Sequence, residues 1–383
     1  MARYFVTGAT GFVGAEVAKQ LRTRGHRVTV LARAPAKASL LARLGCGVVR
    51  LPRVPQPVGP REGQVEHRAE EEHPDALAAV PGTGLGLVGL TAARLGCDVH
   101  EGDILQPDTL RAGMAGADGV FHLAAWYKTG QPQARELASR INVEGTRHVL
   151  DAMRELGITK GVYTSTVAVF SDTHGQIVDE SYRYDGPHLS VYDETKGRAH
   201  YEVALPGMAA GLPLVVVQPG AIYGPGDTSA LRWVFVDHLR RRLPFVPGRT
   251  AYCWAHVDDI AHAHIEAMER GRAGESYIIA GPPHTLRDAV RIAARYSGRA
   301  APLAAIPPAV VRALSTVMSG VERVVPLPLA LSGETLRVVG GVTYLASSAK
   351  AARELGFAPR PLDEGLRHLV EHEMRVLGLP PRA

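Results

Sequence analysis

The chain has 383 residues, of which 46% are hydrophobic and 21% are charged. This length predicts roughly two to three domains with a substantial core, and a net charge of +5 is too small and scattered to indicate nucleic-acid binding. No stretch approaches the roughly 18 consecutive apolar residues of a membrane helix, and no apolar signal segment precedes the first strand. We therefore expect a cytoplasmic globular protein that binds neither nucleic acid nor membrane.

Strand and helix patterns alternate along the first half of the chain. A short strand at residues 4–6 is followed by glycines and by a helix with apolar side chains at Val13, Val17 and Leu21. Gly25 occupies the position of a helix-ending glycine, and a second strand follows at residues 28–32. Further strands are predicted at residues 99–101, 119–125, 161–165 and 214–218, with helices at about 135–156 and 192–209. This alternation predicts an α/β fold with a doubly wound parallel sheet.

One region interrupts the alternation. Residues 42–46 recur without change as residues 93–97, and the segment between the copies is rich in proline and glycine. We interpret residues 47–92 as an irregular insertion between the second helix and the third strand. The predicted domains are a dinucleotide-binding domain at 1–220 and a smaller, mainly helical substrate domain at 221–383. The chain is expected to return to the first domain near residues 253–261.

Three glycines at a spacing of three residues follow the first strand and precede the first helix. Gly8, Gly11 and Gly14 would let the backbone turn tightly and approach a pyrophosphate, which the free N–H groups of the helix start would bind. The predicted contacts therefore include Thr10, Phe12 and Val13 within the same turn. A second glycine motif at residues 84–89 follows no strand, so we assign it no cofactor role.

The end of the second strand is where the adenosine ribose of such a cofactor lies. An acidic residue there would bind the 2′-hydroxyl of NAD, but this chain has Ala32, Arg33 and then Lys37. Cations at this position accommodate a 2′-phosphate. The sequence therefore predicts NADP(H) as the cofactor, with NAD(H) as the alternative.

A tyrosine and a lysine four residues apart, Tyr192 and Lys196, would share one face of a helix. An ammonium group beside a phenol would stabilise the phenolate and lower the pKa of the tyrosine. Residues 163–166 are all polar and end the predicted fifth strand, so a hydroxyl from this run could polarise a substrate carbonyl. The alternative for these hydroxyls is simple capping of the strand end.

These motifs together resemble the extended short-chain dehydrogenase/reductase family, also called the NAD-dependent epimerase/dehydratase family. The resemblance covers nearly the whole chain except the insertion. It is carried by the glycine turn and by the segments 102–104, 122–125, 142–146, 164–170, 187–196, 219–226 and 256–261.

The resemblance implies roles for individual residues. Tyr192 would be the general acid/base, Lys196 its electrostatic partner, and Thr166 the catalytic hydroxyl, with Ser165 as the fallback. Further cofactor contacts are implied beyond the glycine turn. At the adenine end they are Asp103 and Ile104, and along the middle of the cofactor they are Leu123, Ala124 and Ala125. At the nicotinamide end they are Tyr192 and Lys196 on the ribose and Pro219 and Ile222 on the nicotinamide itself. A homodimer is also implied.

Two departures from the family pattern bear on the substrate. Gln218 replaces a frequent arginine, and residues 250–255 lack the Arg-Asp-aromatic stretch of sugar-nucleotide epimerases. With Arg33, these features look more like the dihydroflavonol-4-reductase-like and 3β-hydroxysteroid-dehydrogenase-like branch. The leading hypothesis is an NADP(H)-dependent reductase of a small-molecule ketone or aldehyde, or the reverse alcohol dehydrogenase. The alternatives are a nucleotide-sugar epimerase/dehydratase and a non-catalytic NADP sensor.

No metal site is predicted. The three cysteines, Cys46, Cys97 and Cys253, have neither the number nor the spacing of a zinc site or a disulfide framework. The acidic and histidine residues within 256–264 are typical of a helix start followed by a helix that carries histidines. Free cysteines also agree with a reducing compartment.

Overall fold

The computed structural model of the protein describes residues 1–33, 96–128, 131–302, 304–325, 327 and 331–380. Several predictions lie outside these residues: Lys37, the insertion at 47–92, the glycine motif at 84–89 and the first copy of the repeat at 42–46. Among the described residues, no helix has the length and apolar character needed to cross a bilayer.

The strands, numbered along the chain, are short and mostly buried. They are β1 (Arg3–Thr7), β2 (Arg27–Ala32), β3 (Asp98–Glu101), β4 (Gly119–His122), β5 (Gly161–Thr164), β6 (Leu214–Pro219), β7 (Ala221–Tyr223), β8 (Phe245–Pro247), β9 (Ala251–His256), β10 (Ser276–Ile279), β11 (Pro283–Thr285), β12 (Ala304–Ile306) and β13 (Thr343–Tyr344).

Seven parallel strands form the central sheet in the order β10-β6-β5-β4-β1-β2-β3. Phe5 of β1 lies opposite Thr29 of β2 on one side and Val120 of β4 on the other. The continuous apolar run of β6 has no exposed face, as expected for an inner strand covered by helices on both sides. The predicted doubly wound parallel sheet is therefore confirmed.

The helices, also numbered along the chain, cover the sheets. They are α1 (Phe12–Thr23), α2 (Pro107–Met114), α3 (Arg135–Ser139), α4 (Gly145–Glu155), α5 (Val191–Arg198), α6 (Leu205–Ala209), α7 (Ala230–Leu239), α8 (Val257–Glu269), α9 (Leu286–Ser297), α10 (Pro308–Val321), α11 (Gly333–Val339), α12 (Ala349–Leu355) and α13 (Leu362–Val376). Two π-helical segments, Arg140–Glu144 and Ala199–Ala204, connect α3 to α4 and α5 to α6.

Two hydrophobic layers cover the two faces of the central sheet. Val17 and Leu21 of α1 share one layer with Ile260 of α8. The opposite layer contains Leu110 of α2 and Met153 of α4, together with residues of the π segment after α5. Because both faces are apolar and covered, the ends of the strands are left as the place for a ligand.

The chain after residue 220 adds two small sheets and more helix than strand. β9 pairs with β7, β11 and β13, and β8 pairs with β12. Residues 251–256 are thus a strand of the second sheet, after which α8 packs against α1 and β10 joins the central sheet. The division of the chain at residue 220 stays a prediction.

Candidate active site

The glycine turn brings the backbone of β1 and α1 into close contact. Gly8 has a φ of +74°, and a Cβ atom on it would lie 2.5 Å from the amide nitrogen of Ala124. A Cβ atom on Gly14 would lie 2.2 Å from the carbonyl oxygen of Gly8. Side chains are therefore excluded at both positions, and the Gly11 N–H group closes the turn by donating to Gly8 O at 2.9 Å.

Helix α1 begins directly after this turn without a side-chain cap at Gly11. Its first N–H groups are therefore left for a ligand, and the helix dipole favours an anion at this end. Thr10 and Gly11 are exposed, and Phe12 and Val13 are half-buried. The side-chain-free turn and the uncapped helix start fit the pyrophosphate of a dinucleotide.

The other predicted cofactor contacts follow the carboxyl ends of successive strands. These ends meet at one edge of a parallel sheet, so the residues lie along the same edge as the glycine turn. They are Arg33 after β2, Asp103 and Ile104 after β3, Leu123, Ala124 and Ala125 after β4, Pro219 at the end of β6 and Ile222 in β7. Arg33 is exposed immediately beyond β2.

Hydrogen bonds hold several of these backbone segments in place. Thr7 accepts the Leu123 N–H group through its carbonyl oxygen and the Ala124 N–H group through Oγ1, both at 3.2 Å. Asp103 Oδ1 accepts the Leu105 N–H group at 2.9 Å. Ile104 is buried where a Cβ atom on Gly145 would lie 2.6 Å from its Cδ1 atom. The predicted cofactor edge is therefore a set of fixed backbone positions.

Helix α5 carries the predicted catalytic pair. Ser190 caps this helix by accepting the Asp193 N–H group at 3.0 Å. Tyr192 is half-buried, and Lys196 is only 2% exposed. The Lys196 ammonium group donates to Tyr163 Oη at 3.0 Å and to the Thr164 carbonyl oxygen at 2.7 Å. The end of β5 thus fixes the lysine one helical turn from the tyrosine.

Burial dominates the ionisation of this pair. It raises the pKa of Tyr192 to about 12, although the hydroxyl of Thr166 acts in the opposite direction. It lowers the pKa of Lys196 to about 7. The sequence predicted a lowered tyrosine pKa through the lysine. This direction was wrong for the structure, because burial has the largest effect on the pKa of Tyr192 and the Lys196 ammonium group donates to Tyr163 and Thr164.

Two hydroxyls at the end of β5 have different surroundings. Thr166 Oγ1 accepts the Ala168 N–H group at 3.1 Å and so caps the 3₁₀ helix Val167–Phe170. Ser165 Oγ lies 3.0 Å from His200 Nδ1 in a buried position. The Thr166 hydroxyl acts on the Tyr192 phenol and lowers its pKa against the larger effect of burial, whereas Ser165 contacts His200 of the π segment after α5.

Sequence reasoning assigned no role to Asn142, which lies in the π segment before α4. Its Oδ1 atom accepts the Trp126 N–H group at 2.7 Å. Its Nδ2 atom donates to Trp126 O at 3.0 Å and to Thr195 Oγ1 at 2.9 Å. Asn142 therefore connects the segment after β4 to the helix that carries Tyr192 and Lys196. Its place within the family segment 142–146 was the only available signal.

Two buried carboxylates from opposite parts of the chain also meet at the start of α5. Tyr344 of β13 donates to Asp193 Oδ2 at 2.9 Å, and Glu334 of α11 accepts the Val191 N–H group at 2.6 Å. Burial raises the pKa of Asp193 to about 7, and the nearby Glu334 charge acts in the same direction. The C-terminal region therefore holds the first turn of the helix that presents Tyr192.

The acidic and histidine residues at 256–264 contact other protein groups. Arg360 binds Asp259 at 2.7 Å and Asp258 at 3.5 Å. His264 lies 2.9 Å from Thr164 Oγ1 and 2.8 Å from the Ile260 carbonyl oxygen. Within the described part of the chain, no group of three or more metal-binding side chains is present.

Comparisons with known proteins agree with this geometry. The model of the NAD dependent epimerase/dehydratase family matches residues 4–280. A putative dihydroflavonol 4-reductase of Synechocystis sp. is 29% identical, with 96% of this chain and 93% of the relative covered. The 4-hydroxy-2-methyl-3-oxo-4-farnesyl-3,4-dihydroquinoline-1-oxide ketoreductase of Stigmatella aurantiaca is 30% identical, with 94% and 92% covered. The crystal structure of gox2253 is 28% identical and covers 99% of each chain with a TM-score of 0.73.

Proposed function

Because the chain belongs to the NAD dependent epimerase/dehydratase family, whose members are NAD(P)-dependent enzymes acting on hydroxyl and keto groups, we propose that it is an NADP(H)-dependent ketone or aldehyde reductase. The same site would oxidise the corresponding alcohol. The observation that carries this proposal is the placement of Tyr192 on α5 beside the Thr166 hydroxyl, with the buried Lys196 one turn further on. A protein that only sensed a dinucleotide would not need this arrangement.

The proposed chemistry assigns one task to each side chain. A bound nicotinamide supplies or accepts the hydride at the carbonyl carbon. Thr166 Oγ1 already accepts the Ala168 N–H group, so its own O–H group is available to donate to the substrate oxygen. Tyr192 holds the proton that this oxygen takes up, and its raised pKa keeps the phenol protonated at neutral pH.

Lys196 would influence the transfer of the Tyr192 proton through its positive charge and its fixed position. With a pKa of about 7 it is partly ionised at neutral pH, and it is held by Tyr163 Oη and the Thr164 carbonyl oxygen. The family role at the nicotinamide ribose would place its remaining donor on the cofactor. Lys196 thus couples the end of β5 to the cofactor edge.

The preference for NADP(H) rests on the end of β2. Arg33 follows the strand directly and is exposed, so its guanidinium group can reach a 2′-phosphate. The preceding residue is Ala32, and no carboxylate is present at the ribose position of this strand. These two features support the 2′-phosphate over the free 2′-hydroxyl.

The proposed substrate is a bulky apolar ketone or its alcohol. The relative from Stigmatella aurantiaca is named as a ketoreductase of a farnesyl-bearing compound, and the sequence departs from sugar-nucleotide epimerases at residues 250–255. In this structure those residues lead into and form β9, whose Tyr252 and Trp254 are buried. The lack of the charged Arg-Asp-aromatic stretch at residues 250–255 supports an apolar substrate over a charged nucleotide sugar.

A panel of ketones and aldehydes, followed by loss of NADPH absorbance, tests the proposal. We expect turnover in the wild type and a loss of about 10²–10⁴-fold in Tyr192→Phe, because the proton donor is removed. Tyr4→Phe is the matched control, since Tyr4 packs on Phe121 near the amino-terminal edge of the sheet. Interconversion of nucleotide sugars without NADPH loss would show the epimerase alternative, and full turnover in Tyr192→Phe would contradict the mechanism.

A further inference from the structure

Five buried polar side chains form a continuous line of contacts from Lys196 to Thr7, the last residue of β1. Lys196 Nζ donates to Tyr163 Oη at 3.0 Å, and the Thr146 side chain is hydrogen-bonded to the same phenol. His122 Nε2 lies 3.1 Å from Thr146 Oγ1, and His122 Nδ1 lies 2.7 Å from Thr7 Oγ1. Each of these residues is at most 2% exposed. We call Thr7, His122, Thr146 and Tyr163 the polar bridge.

The polar bridge crosses three neighbouring strands of the central sheet. Thr7 of β1 is in register with His122 of β4, and His122 is in register with Tyr163 of β5. Residues in register on parallel strands project from the same face of a sheet, and the His122 and Tyr163 rings stack there with centroids 5.5 Å apart. Thr146 of α4 packs on this face. The polar bridge therefore joins the strand before the glycine turn to the strand whose end holds Lys196.

The protons of the polar bridge can be assigned from its contacts. The Thr146 hydroxyl donates its one proton to the Asn142 carbonyl oxygen at 2.6 Å. His122 Nε2 must therefore carry a hydrogen and donate to Thr146 Oγ1, and His122 Nδ1 accepts the proton of Thr7. Burial lowers the pKa of His122 to about 3, and the Lys196 charge acts in the same direction. The imidazole is thus neutral and is held in the Nε2–H tautomer at both ends.

We propose that His122 is a positioning residue that couples the glycine turn to Lys196. Its Nδ1 atom holds the Thr7 hydroxyl, whose oxygen accepts the Ala124 N–H group at 3.2 Å on the predicted cofactor edge. Its Nε2–H group holds Thr146, which contacts the phenol that holds Lys196. The polar bridge would fix the spacing between two groups that bind one dinucleotide. This inference rests on the proposed function for its Lys196 end, whereas its Thr7 end concerns dinucleotide binding alone.

Two amide variants of His122 interrupt the two ends separately. In His122→Asn, the new Oδ1 atom is as many bonds from Cβ as the imidazole Nδ1 atom, so it can accept the Thr7 proton but does not reach Thr146. In His122→Gln, the new Nε2 atom is as many bonds from Cβ as the imidazole Nε2 atom, so it can donate to Thr146 but leaves the Thr7 proton without its acceptor.

These two variants should separate cofactor binding from turnover. We expect His122→Gln to raise the NADPH dissociation constant by about 2–10-fold, the loss expected from one hydrogen bond. We expect His122→Asn to leave this constant within about twofold and to lower kcat at saturating NADPH by about 2–10-fold, because Lys196 is less firmly held. Fluorescence titration measures the first quantity and ketone reduction the second. NADH replaces NADPH as the probe if the wild type binds it more tightly.

Threonine variants of the same shape repeat the test and leave the imidazole in place. Thr7→Val should weaken NADPH binding as His122→Gln does, and Thr146→Val should lower kcat as His122→Asn does. Thr146→Ser keeps the hydroxyl and should restore kcat to within about twofold of the wild type. Ser297→Ala is the matched control, because it removes a buried hydroxyl 3.3 Å from His238 in another part of the fold. It should change neither quantity.

A double variant measures the coupling through NADPH binding alone. Tyr163→Phe keeps the ring and removes the oxygen that holds Lys196. If Thr7 and Tyr163 acted independently, the effects of Thr7→Val and Tyr163→Phe on the NADPH dissociation constant would multiply to within about twofold. Because both residues contact His122, we expect the double variant to lose at least about threefold less affinity than this product.

The possible results distinguish this inference from the proposed function. Effects that multiply in the double variant, or the same changes in His122→Asn and His122→Gln, would overturn the inference. A kcat of Thr146→Ser as low as that of Thr146→Val would overturn it as well. Wild-type protein that binds NADPH but reduces no ketone would contradict the proposed function, and the double variant would still decide the coupling. Urea denaturation checks that each variant is folded, and the threonine variants decide if a His122 variant is not.

Discussion

Tyr344 Oη lies 2.9 Å from Asp193 Oδ2, so strand β13 is hydrogen-bonded to the residue that follows Tyr192 in helix α5. Both side chains are buried, and Tyr252 stacks on Tyr344 with ring centroids 6.0 Å apart. The Asp193 carboxylate faces Tyr344, Tyr252, Glu334 and Ser190. The position of Tyr192 therefore depends on a contact from the far end of the chain.

Removing the hydroxyl in Tyr344→Phe should lower the free energy of unfolding by about 1–3 kcal/mol, since it leaves a buried acceptor without its donor. We also expect kcat to fall more than KM rises, because the contact positions the helix that carries Tyr192, the proposed proton donor. Chemical denaturation and steady-state kinetics measure the two effects. Tyr184→Phe removes a hydroxyl at the exposed loop before Pro187 and serves as the control. Equal kinetics in Tyr344→Phe and the wild type would show that this contact is structural alone.

Asp193 should also make stability depend on pH. Its pKa is raised from 3.8 to about 7 by burial, so the folded protein holds a proton that the unfolded chain releases. Its contribution is therefore complete below about pH 4 and is lost as the pH rises through 7. A shift of this size corresponds to up to about 4 kcal/mol. Denaturation between pH 4 and 7 should show a shallower decline in Asp193→Asn than in the wild type, and parallel curves would contradict this assignment.

Lys196 should make the free energy of unfolding depend on pH in the opposite direction. Burial lowers its pKa from 10.5 to about 7, so the folded protein binds fewer protons than the unfolded chain. The stability from this group is present above about pH 10.5 and is lost as the pH falls through 7. Between pH 7 and 10 the wild type should therefore gain stability from this group, whereas Lys196→Met should lack this gain. The variant should also lose turnover. If the free energy of unfolding of Lys196→Met changes with pH between 7 and 10 as it does in the wild type, Lys196 is not the group that causes this pH dependence.

Asn142 should be among the most sensitive buried polar positions. Asn142→Ala leaves both backbone groups of Trp126 without their partner and removes the contact with Thr195. We expect a loss of about 3 kcal/mol in the free energy of unfolding, since each unpaired buried group costs about 1–3 kcal/mol. Gln176→Ala changes an exposed amide side chain and should leave stability within about 0.5 kcal/mol. Urea denaturation compares the two, and similar midpoints would contradict the connecting role of Asn142.

The strands of the central sheet and the helix that carries Tyr192 and Lys196 could be predicted because their signals are local. Buried strands are short apolar runs, and a tyrosine and a lysine four residues apart share a helix face whatever surrounds them. The predicted strand at 119–125 nevertheless ends at His122, because the Leu123 and Ala124 N–H groups turn to Thr7. A local sequence pattern cannot show at which residue the backbone stops hydrogen-bonding to the next strand and bonds to a neighbouring loop instead.

Contacts between distant parts of the chain could not be predicted in the same way. Asp193 and Tyr344 are 151 residues apart, and the strand that carries Tyr344 contains only two residues, too few for a periodic signal. The partner of Lys196 was missed because Tyr163 is a buried strand residue whose hydroxyl has a use only after folding. The pKa of Tyr192 was predicted in the wrong direction for the same reason, since burial is a property of the packed site.

The glycine turn gives a direct test of cofactor binding. In Gly14→Ala the new Cβ atom would lie 2.2 Å from the Gly8 carbonyl oxygen, so the turn must shift away from the pyrophosphate position. NADPH fluorescence titration should show affinity reduced by at least about tenfold, the loss expected from about 1.4 kcal/mol of binding free energy. Gly320→Ala is the control, because a Cβ atom there meets nothing within 4 Å and Gly320 lies in a helix. Its affinity should be unchanged and its stability slightly higher.

In the proposed function, Arg33 is the residue that favours NADP(H) over NAD(H). Its guanidinium group would face a 2′-phosphate, and Arg33→Glu replaces that attraction by repulsion while offering a carboxylate to a 2′-hydroxyl. We expect the NADPH dissociation constant to rise by about 10–100-fold and the NADH constant to fall or stay the same. Arg249→Glu, which reverses a charge before β9 and away from the cofactor edge, should change neither. A wild-type preference for NADH, or an Arg33→Glu variant that still prefers NADPH, would remove Arg33 from the ribose site and leave the family's dinucleotide cofactor without a phosphate preference.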